Sequence, residues 1–318
     1  MPDTVPFEPR AAGGAFITPL RYPGGKGRLG PWLAQVLRHN KISGGWYVEP
    51  YAGGAGAALY LLMQGYVDHI VINDADPVIH AFWRSVTEQP ERLVELVRET
   101  PVTVTTWERQ KLIVEAPAGH DLVEVGFAAF FLNRTNRSGI LSAGVIGGKS
   151  QSGHWKLDAR YMKDDLASRI SRIGAMSKHI TVLGMDALDL LRDVAPGFPD
   201  KCLVYLDPPY FVKGSLLYRN HYQPDDHAAI AHCVGQADYP VIVTYDDCSE
   251  VRRLYGKLDS VNFSLHYSTT HFGRPKTSEA LFYRNLQLPF DPQMTRAYHL
   301  DQQVRTKSPM PSQNALSS

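Results

Sequence analysis

The sequence predicts an α/β layered domain built on a mixed, seven-stranded sheet with a terminal antiparallel hairpin. Three observations carry that prediction. Short β-branched or aromatic runs recur along the chain, and several are too apolar to have a wet face, which is the pattern of strands covered on both sides. Helix-like segments separate most of them. The last two runs have only HFGRPKTS between them, so they read as two antiparallel strands joined by a turn.

Taken in order, residues 1–15 are polar or small without a period and are expected to be a loose end. WYVEPY (46–51) is the first strand, GAGAALYLLMQG (54–65) the helix after it, and HIVIND (69–74) the second strand. Residues 89–179 then break the alternation with mainly helical patterns; Leu166, Ile170 and Ile173, for example, share one face. This stretch is expected to be an inserted helical subdomain. The alternation resumes with ITVLGMD (180–186), CLVYLD (202–207), the helix QPDDHAAIAHCVGQ (223–236) and PVIVTYDD (240–247), and ends with VNFSLHYSTT (261–270) and EALFYRN (279–285). The sheet domain is therefore discontinuous, 16–88 and 180–290, and 295–318 form a second loose end.

Composition excludes some classes and leaves others open. A formal net charge of +1 forces no polyanionic partner on the whole molecule, so a nucleic-acid face has to be a local patch. The three cysteines, Cys202, Cys233 and Cys248, have no zinc or redox spacing, which fits a reducing cytoplasm. No basic-then-apolar leader opens the chain, and no apolar run reaches the roughly 18–20 residues of a membrane helix. A soluble, cytoplasmic protein is expected. His221, His227 and His232 lack the spacing of two ligands on one helix face, and no metal is expected.

The first chemical signal is YVEPYAGGAGAALYLL (47–62), a strand entering a glycine turn that opens a helix. Gly53, Gly54 and Gly56 permit positive φ and let a ligand lie against the backbone at a helix start. The same turn also serves close strand-to-helix packing with no ligand. About twenty residues on, HIVIND ends in Asp74, where an acid can accept hydrogen bonds from both ribose hydroxyls. Together these indicate an adenosine-type cofactor without separating a nicotinamide dinucleotide from S-adenosylmethionine.

LVYLDPPYF (203–211) separates them. Hydride transfer has no use for this cluster. Methylating an exocyclic amine does, because that nitrogen's lone pair is conjugated into the ring and acceptors must draw it out. Asp207 and the carbonyl of Pro208 can each take one amine hydrogen. Pro208 and Pro209 stiffen the loop and demand no donor partners. Tyr210 supplies a flat face for a base. The bland alternative is a rigid proline turn capping a strand.

The motifs YPGGK (22–26), VEPYAGGAG (48–56), IND (72–74), FFLNRTNRSG (130–139) and YLDPPY (205–210) occur in the order found in Dam-type DNA adenine methyltransferases, and the chain closely resembles that family over roughly residues 16–286. The resemblance implies a Rossmann-like methyltransferase sheet, S-adenosylmethionine as cofactor, a flipped adenine in DNA as substrate and its N6 amine as acceptor. It implies that Asp207, Pro208, Pro209 and Tyr210 form the catalytic loop. It implies cofactor contacts at Tyr22, Lys26, Asp74, Asp186 and Asp207, with Glu49, Pro50, Ala52, Gly53 and Gly54 forming the turn beneath. Without the resemblance, RYPGGK reads as a surface turn with a solvated lysine. The family's usual Phe after EP is Tyr51 here, and the segment after Arg134 departs from members that read GATC, so the target sequence stays open. Two alternatives remain beside adenine methylation: methylation of the cytosine N4 amine, and a DNA-binding protein that has lost turnover.

DNA contacts are expected in the insertion. Between Arg134 and Lys178 nine Lys and Arg face three acids, a patch that the global charge conceals. The candidates are Asn133, Arg134, Arg137, Lys149, Lys156 and Arg160 for phosphates, with Gln151, His154 and Trp155 near bases. Arg274 and Lys276, on the terminal hairpin's turn, are candidates too. The competing reading is an ordinary solvated helix face. A monomer is expected.

Overall fold

The computed structural model describes residues 17–22, 25–211, 222–265 and 277–292. Seven strands form one sheet: β1 (Trp46–Glu49), β2 (His69–Asn73), β3 (Ile180–Leu183), β4 (Cys202–Leu206), β5 (Val241–Asp246), β6 (Asp259–Leu265) and β7 (Thr277–Arg284). Their order is β3-β2-β1-β4-β5-β7-β6. The pairs among β1 to β5 are parallel, while β7 runs antiparallel to both β5 and β6. This is the α/β methyltransferase-like fold expected. Unforeseen was that the closing pair enters with its second strand inside, so that β7 and not β6 lies against β5.

The sheet is covered on both faces, which is why its parallel strands read as unbroken apolar runs. Tyr47, Ile70, Ile72, Leu203, Tyr205 and Ile242 point into one layer, packed with α1 (Gly30–His39), α2 (Gly56–Met63) and α3 (Pro77–Glu88). Val48, Val71, Val204, Leu206 and Val243 point into the other. There they meet a short turn, α8 (Ala187–Asp189), that runs into a π turn at Leu190–Val194, together with α9 (Pro224–Gln236) and α10 (Ser249–Leu254).

Four helices fill residues 90–174: α4 (Pro90–Glu99), α5 (Val104–Glu115), α6 (Leu122–Thr135) and α7 (Lys163–Gly174). They share one core with the sheet, because Leu93, Ile113, Phe130, Phe131, Leu166 and Ile170 belong to the same apolar cluster as Tyr47 and Leu203. The join is the packing of α6 on α3. Local chemistry starts both helices: Asp76 accepts from the Val78 N–H ahead of Pro77, and Asp121 with Glu124 forms a reciprocal capping box. The two axes approach closely at Gly126, where an added Cβ would sit 2.4 Å from Ser85 Oγ and 2.8 Å from the Ala81 carbonyl.

Asn73 ties the carboxyl ends of three strands. Its amide nitrogen donates to the carbonyls of Pro50 (2.9 Å) and Met185 (3.0 Å), and its oxygen accepts from Met185 N–H (3.0 Å). Among the described residues no helix is long and apolar enough to cross a membrane.

Gly126→Val is expected to destabilise the fold by about 3 kcal/mol, since it forces the α3–α6 pair apart with little room to relax. Urea unfolding monitored by circular dichroism checks this; a variant as stable as the wild type refutes the close approach.

Candidate active site

The parallel strands deliver their carboxyl ends to one edge, and the chain reverses direction across the sheet between β1 and β4, which are neighbours there. A crevice at such a switch point is where open α/β sheets take ligands. Polar groups gather along it: Glu49, Asn73, Asp74, Asp186, Asp207 and Asp246 all end a strand or follow one.

The glycine turn is shaped by what lies on it. Gly53 has φ +45°, and an added Cβ there would meet the Tyr22 ring at 2.6 Å; Gly54 lies under the same side chain. Asp74 organises the turn from below, its two oxygens accepting the N–H groups of Gly53 and Asp76, each at 3.0 Å. Burial pushes its carboxyl up to about 7, against the pull of those two donors. Trp83 Nε1 donates to the Gly53 carbonyl (2.9 Å). Ala55 takes a left-handed conformation just before α2, with φ 47°. Past the turn, an added Cβ on Gly56 would lie 3.1 Å from the Gly27 Cα, so the short 3-10 turn Lys26–Leu29 is seated against the start of α2.

That seating aims Lys26 at the DPPY loop. Its ammonium is 3.1 Å from Asp207 Oδ1 and 3.2 Å from Glu279 Oε2 on β7, with its side chain only 4% exposed. Burial opposes the charge, but the Asp207 and Glu279 carboxylates overcome it and hold the lysine well above its ordinary pKa. Thr244 Oγ1 donates to the same Asp207 oxygen (2.9 Å), and the Tyr205 hydroxyl meets Thr244 (2.9 Å). The Tyr210 hydroxyl donates to Glu279 Oε1 at 3.5 Å, and its ring centroid lies 5.9 Å from the Lys26 ammonium. Phe211 N–H donates to Asp246 Oδ1 (3.1 Å), and the Phe211 ring packs on buried His227, which meets the Tyr245 hydroxyl at 2.8 Å. The loop is thus gripped from β5 and β7 along its length.

The other residues singled out in the sequence fall into two groups. Glu49 is buried, accepts the Ala58 N–H (3.1 Å), and is pushed up to about 8 by that burial. Pro50 and Ala52 are bound through their backbones to Asn73. These three form the floor under the turn. Asp186 is exposed and caps α8 by accepting the Leu188 N–H (2.8 Å). Beside it on this edge the Tyr51 hydroxyl, absent where the family has Phe, bonds the Tyr222 hydroxyl at 3.0 Å.

In the insertion the geometry divides the expected DNA contacts. Asn133 is fully buried, its amide spent on Arg21 N–H and on the carbonyls of Arg21 and Gly139, so it offers nothing to a ligand. Arg134 is likewise buried, its guanidinium donating to the carbonyls of Arg160 and Pro19, and burial together with the neighbouring Arg21 and Arg169 lowers it to about 9. Both follow directly from α6 being enclosed all round. Arg137, Lys149, His154, Trp155, Lys156 and Arg160 instead stand exposed on the loop that follows. The loop is closed on itself: Arg137 N–H bonds the Gly144 carbonyl (3.0 Å), Ile146 N–H bonds that of Thr135 (2.9 Å), and the Gln151 amide spans Ile146, Gly148 and Leu157. Gln151 therefore shapes the loop. Lys149 pairs with Glu108 (2.9 Å), and Trp155, 62% exposed, has Arg160 at 5.9 Å from its ring. Gly139 packs on Arg21, so the loop adjoins the residue before Tyr22. Arg274 and Lys276 lie outside the described residues, as does His221.

Sequence reasoning missed Thr244, Arg21 and Glu279. Only Glu279 left a trace, as an acid heading the apolar run EALFY at a position that turned out to face inward.

The sequence profile described as D12 class N6 adenine-specific DNA methyltransferase matches residues 22–271. The chain belongs to that family. Membership makes it an enzyme acting on DNA and decides for adenine over the cytosine alternative that the amine chemistry had left open. The match spans the first strand, the DPPY loop and the whole insertion of this methyltransferase. Among solved structures, the rRNA methyltransferase aviRa from Streptomyces viridochromogenes is similar at 12% identity, covering 82% of this chain and 85% of that one with a TM-score of 0.34, a likeness too shallow to argue from. No curated protein matches the chain in sequence. Among the described residues of the methyltransferase, no group of His, Cys, Asp and Glu is arranged to hold a metal ion.

Glu49 makes a pH prediction. Its folded pKa of about 8 lies above the ordinary 4.5, so the folded state keeps a proton that the unfolded chain releases, and wild-type stability falls as pH rises through that window. Glu49→Gln removes the share of that slope due to Glu49 and leaves the share due to Asp74, whose carboxyl is also raised. The stability of the Gln variant relative to wild type should therefore rise by roughly 2–4 kcal/mol between acidic and mildly basic solution. Parallel urea titrations of the two proteins measure it, and parallel pH profiles refute it.

Proposed function

We propose that this methyltransferase draws its methyl group from S-adenosylmethionine and delivers it to the N6 amine of an adenine turned out of DNA. The observation that carries the reading is the Lys26–Asp207 contact at 3.1 Å. It fastens the segment lying on the glycine turn to the loop bearing the amine acceptors, so cofactor site and base site adjoin.

The residues of the crevice suit an adenosine-bearing donor. At Gly53 and Gly54 a Cβ would crowd the Tyr22 side chain, so the bare backbone of the turn carries that ring at the crevice. Asp74 lies beneath it, within reach of ribose hydroxyls, and Asp186 stands exposed at the next strand end for the adenine. When bound, the donor supplies a methyl on a cationic sulfonium, and its sulfur leaves neutral.

The chain's own work is to hold the amine. Thr244 and Lys26 both engage Asp207 Oδ1, and Oδ2 is the oxygen that takes one amine hydrogen in this reading. The carbonyl of Pro208 takes the other, and the two acceptors pull the lone pair out of conjugation. Tyr210 stacks on the base. Its hydroxyl is fixed on Glu279, so little ordering remains when the base arrives. The methylated amine then loses a proton to solvent. Removing an adenine from the stack needs purchase on the phosphates, and the exposed Arg137, Lys149, Lys156 and Arg160 supply it, with Trp155 offered to a base. The reading needs only one copy of the chain.

Asp207→Ala is expected to cut methyl transfer by at least about a thousandfold, and Tyr210→Ala by roughly 10- to 100-fold, with DNA binding retained. Tritiated-methyl transfer followed by nucleoside mass spectrometry reads both rate and product. Wild-type turnover in Asp207→Ala removes the amine-holding role, and N4-methylcytosine as the product removes the adenine assignment.

A further inference from the structure

Residues 18–21 lead from the insertion to Tyr22 on the glycine turn, and four arginines gather along them. Arg169 Nη1 donates to the Thr18 carbonyl (3.1 Å), Arg134 Nη1 donates to that of Pro19 (3.4 Å), and Arg21 follows two residues on. Arg134 Nε also donates to the Arg160 carbonyl (2.7 Å), which brings Arg160 to the same place. Among the described residues a single carboxylate comes within ion-pair distance of any of the four, Asp165 at 2.6 Å from Arg169. Their mutual repulsion adds to burial in lowering Arg134 to about 9, and Arg160 adds to burial in lowering Arg21. Arg169 Nε is buried without an acceptor among the described residues.

The four divide by exposure. Arg134 and Arg169 stand behind, donating to main-chain carbonyls and, for Arg169, to Asp165. Arg21 is half-buried and donates from Nη1 to the Asn136 carbonyl (3.3 Å), while Arg160 is exposed, with its guanidinium 5.9 Å from the Trp155 ring. Two forks that reach solvent thus stand before two enclosed charges of the same sign. Such a setting favours an anion with several acceptor oxygens. Turning a base out of the duplex brings its backbone onto the enzyme, and the anion DNA carries there is a phosphate.

We propose that Arg21 and Arg160 clamp one DNA backbone phosphate between them beside Tyr22, with Arg134 and Arg169 supplying the positive field behind it. The inference deepens the reading that exposed basic residues of the insertion grip phosphates. It adds Arg21 to them and assigns Arg160 to a shared contact.

The test is fluorescence anisotropy, over a range of salt, on a labelled duplex that the enzyme methylates. Wild type is compared with Arg21→Gln, Arg160→Gln, their double variant, Lys156→Gln and Arg172→Gln, each checked for folding by its melting curve. Arg21→Met, which keeps the half-buried stem, stands in if Arg21→Gln melts early. Each single clamp variant should weaken binding about tenfold, and the double variant by less than the product of the two losses. The double variant should flatten the slope of log K against log salt by about one, as loss of one phosphate contact requires. Arg172→Gln, exposed on α7, should bind within about twofold of wild type. Losses that multiply with a slope flattened by about two mean two separate contacts and overturn the clamp, as does an equal loss in Arg172→Gln. Weakened binding in Lys156→Gln with none in Arg21→Gln overturns the clamp alone, whereas wild-type binding in Lys156→Gln and Arg160→Gln together removes the loop reading as well. Calorimetry with inorganic phosphate distinguishes the source: a free anion that binds wild type but not Arg21→Gln, beside unchanged DNA slopes, overturns the assignment to DNA.

Discussion

An ammonium buried between two carboxylates is an expensive thing to fold, and the rest of the structure can be read as the means of keeping it in place. Lys26 arrives from a short turn seated glycine against glycine at the start of α2 and anchored by buried Leu29. Asp207 arrives from the end of a wholly buried strand, and Glu279 from the antiparallel strand two places along the sheet. None of the three is near another in sequence. The sheet has to be complete, with β7 inserted beside β5, before the charges can meet. A chain that failed to close its edge would leave a lysine and an acid stranded in the interior, so the same contact that prepares the crevice also penalises incomplete folding.

The two layers around the sheet divide the labour. One is a compact cover of α8, α9 and α10 that backs the DPPY loop through His227 and Tyr245. The other is much thicker, because the helices of the insertion are fused into it through α3 and α6. The exposed basic residues stand on the loop after α6, beyond a helix too enclosed to move independently. The exposed basic surface is therefore held at a fixed offset from the crevice, with Asn133 and Arg134 spent on making that joint rigid.

Much of this was legible in the chain, for identifiable reasons. Strands buried on both faces write themselves as unbroken apolar runs, and Asp207 announced itself by ending one of them. Glycine turns declare backbone geometry, and the family's motif order bound the separate signals together. The failures are equally physical. The basic count over the insertion treated Arg134 and Arg160 alike, although enclosure of α6 turns the first inward while the second stays outside; charge says nothing of burial. Asn133 was expected at the DNA because a buried amide and an exposed one are written with the same letter. Thr244 gave no sign of being a site residue and Glu279 only a faint one, because both reach the crevice sideways, across strands, and cross-strand register is not carried by any local pattern.

The loop between Asn136 and Arg160 closes through its own backbone, and the Gln151 amide supplies the internal bracing that a longer hairpin would draw from neighbouring strands. The helices hold it at several points, since Ile146 N–H bonds the Thr135 carbonyl, Arg134 donates to the Arg160 carbonyl and Trp107 Nε1 donates to Asn136. A segment braced in this way keeps its outline when its exposed side chains change, so its surface chemistry can vary without disturbing the helix beneath it.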